Sequence, residues 1–195
     1  MKSIVFLSSM EVYGYPEKGH LVTEDEIGQF SPLNLRNSYP ISKIMGEMLC
    51  FAYAKEYGVP AKIIRLTQTI GLDIDEKDQR FSAYLRRCID EKKDIILKTK
   101  GESERSYLSI ADAVTAILII LLKGEDGQAY NAADETTYCS ISELAEKTAK
   151  DHGLHVIYEL QGETAKEYLD TIYMNLDTGK LKNLGWRAIE ERNDE

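Results

Sequence analysis

The chain has 195 residues, of which 43% are hydrophobic, and this is enough to bury one compact core. Its formal net charge is -9, and the acidic residues are spread along the chain rather than grouped. This balance argues against a protein that binds the nucleic acid backbone, so we expect no nucleic-acid partner, although a local basic pocket for a small diphosphate stays compatible with it.

The cysteines and histidines predict neither disulfides nor a metal site. Cys50, Cys88 and Cys139 lie far apart and form no Cys-x-x-Cys pair, which favours reduced thiols in a cytoplasmic protein. The 3 histidines show no metal-ligand pattern. No secretory signal is visible, and the apolar run over residues 113–122 is too short to span a bilayer, so we expect no membrane partner.

The first predicted element is a buried parallel strand over residues 4–7, which ends in the polar pair Ser8-Ser9. Polar residues at the carboxyl end of a parallel strand lie where open α/β sheets bind ligands. Residues 15–35 show no sustained periodicity and predict a loop. We expect this loop to lie over the ligand edge of the sheet.

A helix carrying a tyrosine and a lysine follows. Ser38 is the predicted N-cap, Gly58 and Pro60 close the helix, and apolar residues recur with helical spacing at Ile41, Met45, Met48, Leu49 and Ala52. Tyr39 and Lys43 lie four apart and share a face, so the ammonium would stabilise the phenolate and lower the pKa of Tyr39. A surface tyrosine beside a solvated lysine is the alternative, which this spacing alone does not exclude.

The rest of the chain alternates strand and helix patterns. Strands are predicted over 61–66, 94–98, 105–109, 129–132 and 155–160, and helices over 80–90, 112–123, 142–150 and about 177–184. Asp112 and Ser142 are the predicted caps of the second and third of these helices. We expect Tyr107 and Trp186 to be packing residues.

Several motifs in order along the chain carry a family resemblance. They are the strand and turn ending in Ser8-Ser-Met-Glu11, the Tyr39-x-x-x-Lys43 helix, Arg65-Leu-Thr-Gln-Thr-Ile-Gly71, Arg105-Ser-Tyr-Leu-Ser-Ile-Ala-Asp112 and Leu184-Gly-Trp186. Together they resemble the extended short-chain dehydrogenase/reductase family, which contains the NAD-dependent nucleotide-sugar epimerases, dehydratases and decarboxylases. The resemblance covers nearly the whole chain.

The resemblance implies an α/β fold: a partial Rossmann-like parallel sheet with an interleaved small α/β substrate-binding region. Within one incomplete domain, residues 1–80 and about 110–135 would form mainly the catalytic part. Residues of about 81–109 and 136–195 would form mainly the substrate-binding part. The implied substrate is a nucleotide sugar, and the implied cofactor is NAD.

The resemblance also assigns catalytic roles. Tyr39 would take a proton from a sugar hydroxyl while hydride leaves for NAD, and Lys43 would lower the tyrosine pKa and hold the nicotinamide ribose. Ser9 falls where the family has Ser or Thr, a hydroxyl that hydrogen-bonds the reacting oxygen. As an alternative, Ser9 is a cap at the end of the strand.

Glu11 bears on the net reaction. Dehydratases and decarboxylases of the family carry a glutamate there, and in dehydratases it removes a proton beside the transient ketone. Met10 departs from the Asp that many dehydratases use to protonate the leaving hydroxyl, and a thioether cannot donate a proton. Dehydratase, decarboxylase and epimerase therefore all stay open, as does a solvated loop carboxylate at Glu11.

Substrate contacts are implied at three positions. Arg105 resembles the family's arginine for the nucleotide diphosphate, because a guanidinium can bind phosphate oxygens bidentately. Gln68 replaces the usual Asn and would make the same substrate contact or a different one. Arg80 is a candidate phosphate ligand, but an ion pair with Asp78 or Glu76 explains it equally well.

None of the 13 glycines supplies the Gly-rich turn of a dinucleotide-binding half. Measured against the family, we expect the residues that hold the adenine half of NAD to be missing, the isolated chain to be inactive, and the strand over 4–7 to have an unpaired edge. Such an edge predicts a homo-oligomer, aggregation, or a second chain that supplies the missing half. A non-catalytic sugar-nucleotide-binding or assembly module, or a truncated inactive product, is the alternative.

Overall fold

The computed structural model describes residues 2–71, 77–160 and 171–189. Its helices are α1 (Ser38–Tyr57), α2 (Phe81–Glu91), α3 (Ile110–Lys123), α4 (Ile141–His152) and α5 (Gly179–Asn183). Its strands are β1 (Ile4–Ser9), β2 (Leu21–Val22), β3 (Ala61–Leu66), β4 (Gln68–Ile70), β5 (Ile95–Leu97), β6 (Glu104–Ser109), β7 (Ala129–Ala132), β8 (Asp134–Ser140), β9 (Val156–Tyr158) and β10 (Tyr173–Leu176). The α/β class predicted from the sequence is confirmed.

The first sheet is parallel and has the order β1-β3-β7. β1 pairs with β3 from Ile4 opposite Ala61 to Ser9 opposite Leu66, so the strand runs two residues beyond its predicted end. Val5 packs on the cluster that contains α3 residues, whereas Phe6 meets α1 at Gly46. Because neighbouring side chains of a strand point to opposite faces, α1 and α3 cover opposite faces of this sheet.

A second sheet has the order β2-β10-β6-β4, with β8 antiparallel to β6, and a third pairs β5 with β9. The predicted strands at β5 and β6 therefore belong to different sheets. β2 lies inside the predicted loop over residues 15–35, and neither β8 nor β10 was predicted. These strands are short or rich in polar residues, and their partners lie far away in the sequence, so no local pattern marks them.

Three helices have a different N-cap from the predicted one. α1 begins at Ser38 itself and has no side-chain cap. α3 begins at Ile110 with Ser109 as its cap, so Asp112 lies in its first turn, and α4 is capped by Ser140 rather than Ser142. In α3 and α4 the cap is the last residue of the preceding strand. The chain passes from strand to helix without a loop, which the sequence pattern does not reveal.

Most of the apolar residues that predict α1 do not lie on the face that packs on the sheet. Gly46 meets the Phe6 ring, and a Cβ at Gly46 would come within 2.3 Å of Phe6 Cζ. Met45, Met48 and Leu49 are between 52% and 60% exposed. The side of α1 turned inward instead carries Gly46 and the buried Glu47, with Ile44 partly buried against a core cluster.

The core lies in three clusters of buried apolar residues. The largest joins the α3 face of the first sheet to α5 and includes Trp186, which is 2% exposed. Tyr107 is 3% exposed, so both aromatic residues predicted to pack are buried. Within the described ranges, no helix has the length and apolar character needed to cross a membrane.

Candidate active site

The first part of the candidate site is the segment that follows β1. A 3-10 turn over Met10–Tyr13 begins directly after Ser9, whose Oγ accepts a hydrogen bond from the Glu11 N–H (3.2 Å). Gly14 ends the turn at a φ of 68°, in the left-handed region that glycine adopts without a Cβ clash. The Ser9 hydroxyl and the Glu11 carboxyl therefore lie at the carboxyl end of β1, where the sequence predicts them.

The amino-terminal turns of α1 bring Tyr39 and Lys43 to the same strand end. Lys43 Nζ donates to the carbonyl oxygen of Leu7 (2.8 Å) and lies 5.5 Å from the centroid of the Tyr39 ring. Tyr39 is 46% exposed. The predicted tyrosine and lysine are thus neighbours, and the lysine is tied to the backbone of β1.

Met10 lies in the core rather than in the site. It is 7% exposed, and its Sδ lies 3.3 Å from Thr67 Oγ1. Val12 and Tyr13 are buried as well, which leaves Glu11 as the one residue of this turn that is not buried. The turn therefore presents a carboxylate but no second acidic group.

A buried polar network that the sequence reading missed lies beneath the turn. Glu47 and Arg65 are 6% and 4% exposed, and Arg65 Nη2 donates to Glu47 Oε2 (2.7 Å). Arg65 Nη1 also donates to Tyr13 Oη (2.9 Å), and Ser8 Oγ donates to Glu47 Oε1 (2.5 Å). A signal was present in the sequence, because an arginine within an apolar strand needs a buried partner.

In this network, burial and the Glu47–Arg65 ion pair have the largest effects on the pKa values. Burial raises the pKa of the Tyr13 hydroxyl, although Arg65 acts in the opposite direction. Burial acts to lower the pKa of Arg65, but the hydrogen bonds and charge of Glu47 outweigh it and leave that pKa raised. Arg65 is therefore a permanent cation and Tyr13 a neutral hydroxyl.

Arg105 and Gln68 come together on the second sheet. Gln68 pairs with Tyr107 across β4 and β6, and Arg105 Nη1 lies 3.4 Å from Gln68 Oε1. Within the described part of the chain, Arg105 Nε is buried without a hydrogen-bond partner. The hydroxyl of buried Thr67 donates to the Ser106 carbonyl (2.6 Å) and also contacts Met10, so Thr67 links this pair of residues to the turn after β1.

Arg80 does not join Arg105 and Gln68. Its guanidinium pairs with Asp78 (2.6 Å) and donates to the Thr69 carbonyl (3.2 Å), next to a cavity of about 260 Å³. The hydrogen bonds from Arg80 lower the pKa of Asp78 to about 2. Glu76, the other predicted ion-pair partner of Arg80, lies outside the described residues.

Comparison with known proteins gives consistent results. Residues 1–133 match the profile of the NAD dependent epimerase/dehydratase family. The chain is 27% identical over 187 residues to a trifunctional UDP-glucose 4,6-dehydratase/UDP-4-keto-6-deoxy-D-glucose 3,5-epimerase/UDP-4-keto-L-rhamnose-reductase of Arabidopsis thaliana. It is also 27% identical to UDP-glucuronic acid decarboxylase 1 of Xenopus tropicalis over 119 residues, which are 60% of the present chain.

Among solved structures, the fold is similar to that of dTDP-glucose 4,6-dehydratase from Bacillus anthracis in complex with NAD, with a TM-score of 0.78 and 25% identity over 95% of this chain. The alignment with the plant relative covers 96% of this chain. The chain spans 27% of the plant protein, 28% of the frog protein and 56% of the bacterial chain.

Proposed function

Because the chain belongs to the NAD dependent epimerase/dehydratase family, we propose that it is the catalytic and substrate-binding portion of an NAD-dependent nucleotide-sugar epimerase/dehydratase. One observation carries this proposal. Lys43, which hydrogen-bonds the end of β1, lies beside the exposed ring of Tyr39 on the adjacent helix, next to the Ser9–Glu11 turn. In this proposal Tyr39 serves as the base, Lys43 as the cation and Ser9 as the hydroxyl at one strand end.

The residues at this strand end fit the nicotinamide ribose of NAD. Lys43 has three N–H donors, of which one is bonded to the Leu7 carbonyl, so others can bind ribose hydroxyls. Tyr39, one helical turn before Lys43, is 46% exposed. When bound, NAD would supply the hydride acceptor that turns a sugar carbinol into a transient ketone.

Proton movement falls to Tyr39, which accepts the hydroxyl proton at Oη as the sugar is oxidised. The ammonium of Lys43 lies 5.5 Å from the centroid of the Tyr39 ring and so stands beside this step. The Ser9 Oγ accepts from the Glu11 N–H, so its own O–H is available to donate to the reacting oxygen. These three side chains hold and move one proton between them.

Glu11 supplies a base beside the ketone. Oxidation of the carbinol acidifies the neighbouring C–H, and a carboxylate can then remove that proton. With Met10 buried against Thr67, the turn offers no acid to a leaving hydroxyl. We therefore propose proton abstraction by Glu11, within an epimerase, dehydratase or decarboxylase reaction.

Arg105 and Gln68 would hold the nucleotide diphosphate. The 3.4 Å contact between them is long, and the buried Nε of Arg105 has no partner in the described ranges, so the guanidinium has donors to give to phosphate oxygens. In this division the β1-β3-β7 sheet is catalytic and the sheet around β6 binds substrate. Arg80 is a further phosphate candidate only if it leaves Asp78.

We also propose that the outer edge of β1, which pairs only with β3 among the described strands, is completed by a second copy or a second chain. Cys50, Cys88 and Cys139 are free thiols, which supports a reducing compartment such as the cytoplasm.

Calorimetry on the full chain tests the binding part of this proposal, with NAD and with UDP-, dTDP- and GDP-sugars. Loss of a charge-assisted hydrogen bond weakens binding roughly 10- to 100-fold, so R105M should weaken nucleotide-sugar binding by that factor. R187M, which removes an exposed arginine whose partners among the described residues are nearby carbonyl oxygens, is the control and should bind like the wild type. Failure of the wild type to bind any nucleotide sugar would exclude the proposal.

Tyr39 is tested separately by turnover. Y39F should bind nucleotide sugar as the wild type does. Where the wild type converts a nucleotide sugar in the presence of NAD, Y39F should lose formation of the sugar product. Equal product formation by an active wild type and by Y39F would remove Tyr39 from the chemistry.

A further inference from the structure

The Glu47–Arg65 pair has no role in the chemistry proposed above, yet it is buried directly beneath it. Arg65 Nε and Nη2 donate to both carboxylate oxygens of Glu47, at distances from 2.7 to 3.2 Å. Burial of an ion pair costs desolvation energy that its attraction often fails to recover, and apolar residues of similar volume serve the core equally well. A stabilising role alone therefore accounts poorly for this pair.

On one side the pair fixes the end of β1 to α1. Glu47 follows Lys43 by one helical turn, and Lys43 follows Tyr39 by another, so the three residues lie along one side of α1. Lys43 bonds the carbonyl oxygen of Leu7, and Glu47 accepts from the hydroxyl of Ser8. Side chains from consecutive turns of the helix are thus hydrogen-bonded to consecutive residues of the strand.

On the other side the pair fixes the end of the 3-10 turn. Arg65 Nη1 donates to Tyr13 Oη (2.9 Å) and to the carbonyl oxygens of Glu24 (2.8 Å) and Glu26 (3.3 Å). Tyr13 in turn donates to Asn131 Oδ1 (2.5 Å) on β7. Tyr13 is therefore bound to both β3 and β7.

Ser8 and Tyr13 bracket the segment that carries Ser9 and Glu11. Both ends of this segment are bonded, directly or through Arg65, to the carboxylate of Glu47, which is rigidly part of the Tyr39 helix. A catalytic group must be held within a fraction of an ångström of its productive position. The network provides a direct mechanical link between the two halves of the site.

We propose that Glu47 is a positioning residue: acting through Ser8 and Arg65, it sets the Ser9–Glu11 turn relative to Tyr39 and Lys43. This inference rests on the function proposed for that turn and helix. It predicts that loss of the Ser8–Glu47 bond loosens the turn more than the rest of the protein.

Hydrogen exchange on the full chain tests the proposal. The reporters are the amides of Gly14 and Gly28, which donate to the Glu11 and Val12 carbonyls. S8A removes one hydroxyl and leaves the ion pair, so it should fold even if E47Q does not. We expect S8A to raise exchange at both amides at least 10-fold beyond any change in the slowest-exchanging amides of β3.

S109A is the matched control, because Ser109 also donates from a strand-end hydroxyl to a carboxylate, that of Asp112 (2.7 Å). In S109A, the exchange rates of the Gly14 and Gly28 amides, divided by those of the slowest-exchanging amides of β3, should equal the wild-type ratio. A uniform rise in S8A, an unchanged ratio, or the same selective rise in S109A would overturn the proposal. Where the wild type turns over a nucleotide sugar, S8A should lower kcat with KM within twofold.

This readout is independent of the proposed function. A wild type that binds no nucleotide sugar counts against the function, whereas the exchange ratio of S8A counts for or against the link between helix and turn. The two failures are therefore distinguishable.

Discussion

Replacement of Arg65 by methionine should be among the most damaging single changes in this chain. The variant leaves the Glu47 carboxylate, 6% exposed, with Ser8 as its remaining hydrogen-bond donor among the residues that the structure describes. It also removes the donor to Tyr13 Oη and to two backbone carbonyl oxygens. Removal of one partner of a buried ion pair costs about 3–5 kcal/mol. Because domains unfold with about 5–15 kcal/mol, R65M should lose a large share of the free energy of unfolding.

Urea unfolding measures this loss, with the fluorescence of Trp186 as the probe. Trp186 is the single tryptophan and is 2% exposed in the folded chain. R86M is the control, because Arg86 pairs with Asp90 on the surface at i,i+4 spacing, and such a pair contributes only about 0.3–0.5 kcal/mol.

The double variant E47M/R65M distinguishes the cost of an unpaired buried charge from the cost of altered packing. With both charges gone, methionine side chains can fill the space, and stability should return to within about 2 kcal/mol of the wild type. A loss below about 1 kcal/mol in R65M would refute the claim that the pair is buried and mutually dependent. So would a double variant whose loss equals the sum of the two single losses.

Further predictions concern a helix cap, an acidic side chain and two thiols. S140A breaks the capping box of α4 and should cost about 0.5–2 kcal/mol in thermal unfolding. The Arg80 hydrogen bonds hold the pKa of Asp78 near 2, below its ordinary 3.8, so its stabilising effect is complete above 3.8 and is lost as the pH falls toward 2. An NMR titration should show this value, and R80M should return it toward 3.8. Burial raises the pKa of the Cys50 and Cys139 thiols, so mass spectrometry should find both alkylated more slowly at neutral pH than a cysteine in a peptide.

The part of the site that depends on local pattern could be predicted from the sequence. An apolar run followed by serines predicts a strand end, and the four-residue spacing of Tyr39 and Lys43 places them on one helix face. The structure finds both features and joins them through the Lys43–Leu7 bond. Only the exact ends of the strand and helix differ from expectation.

The part that depends on distant partners could not be predicted. Glu47 and Arg65 are 18 residues apart, and Tyr13 and Asn131 are 118 apart, so no sequence window contains either pair. β8 is antiparallel to β6 and rich in polar residues, and its register is set by that partner.

The face of α1 that packs on the sheet could not be predicted from hydrophobic periodicity, for a different reason. Its apolar residues are spread around most of the helix circumference, so the sequence holds no single stripe that marks the inner face. The structure turns Gly46 and Glu47 inward and leaves Met45, Met48 and Leu49 exposed. A glycine beside a buried charge is a weaker signal than a row of methionines and leucines.

Gly46 and Phe6 together act as the spacer between the helix and the sheet. With no side chain at Gly46, the phenyl ring of Phe6 defines how closely the Tyr39 helix approaches β1. A larger side chain at Gly46 therefore requires a smaller one at Phe6, and the reverse. Exchanging volume between them, for example in the pair F6V/G46A, would shift the Tyr39 helix by fractions of an ångström and would also remove the ring that lies 5.4 Å from Lys43 Nζ.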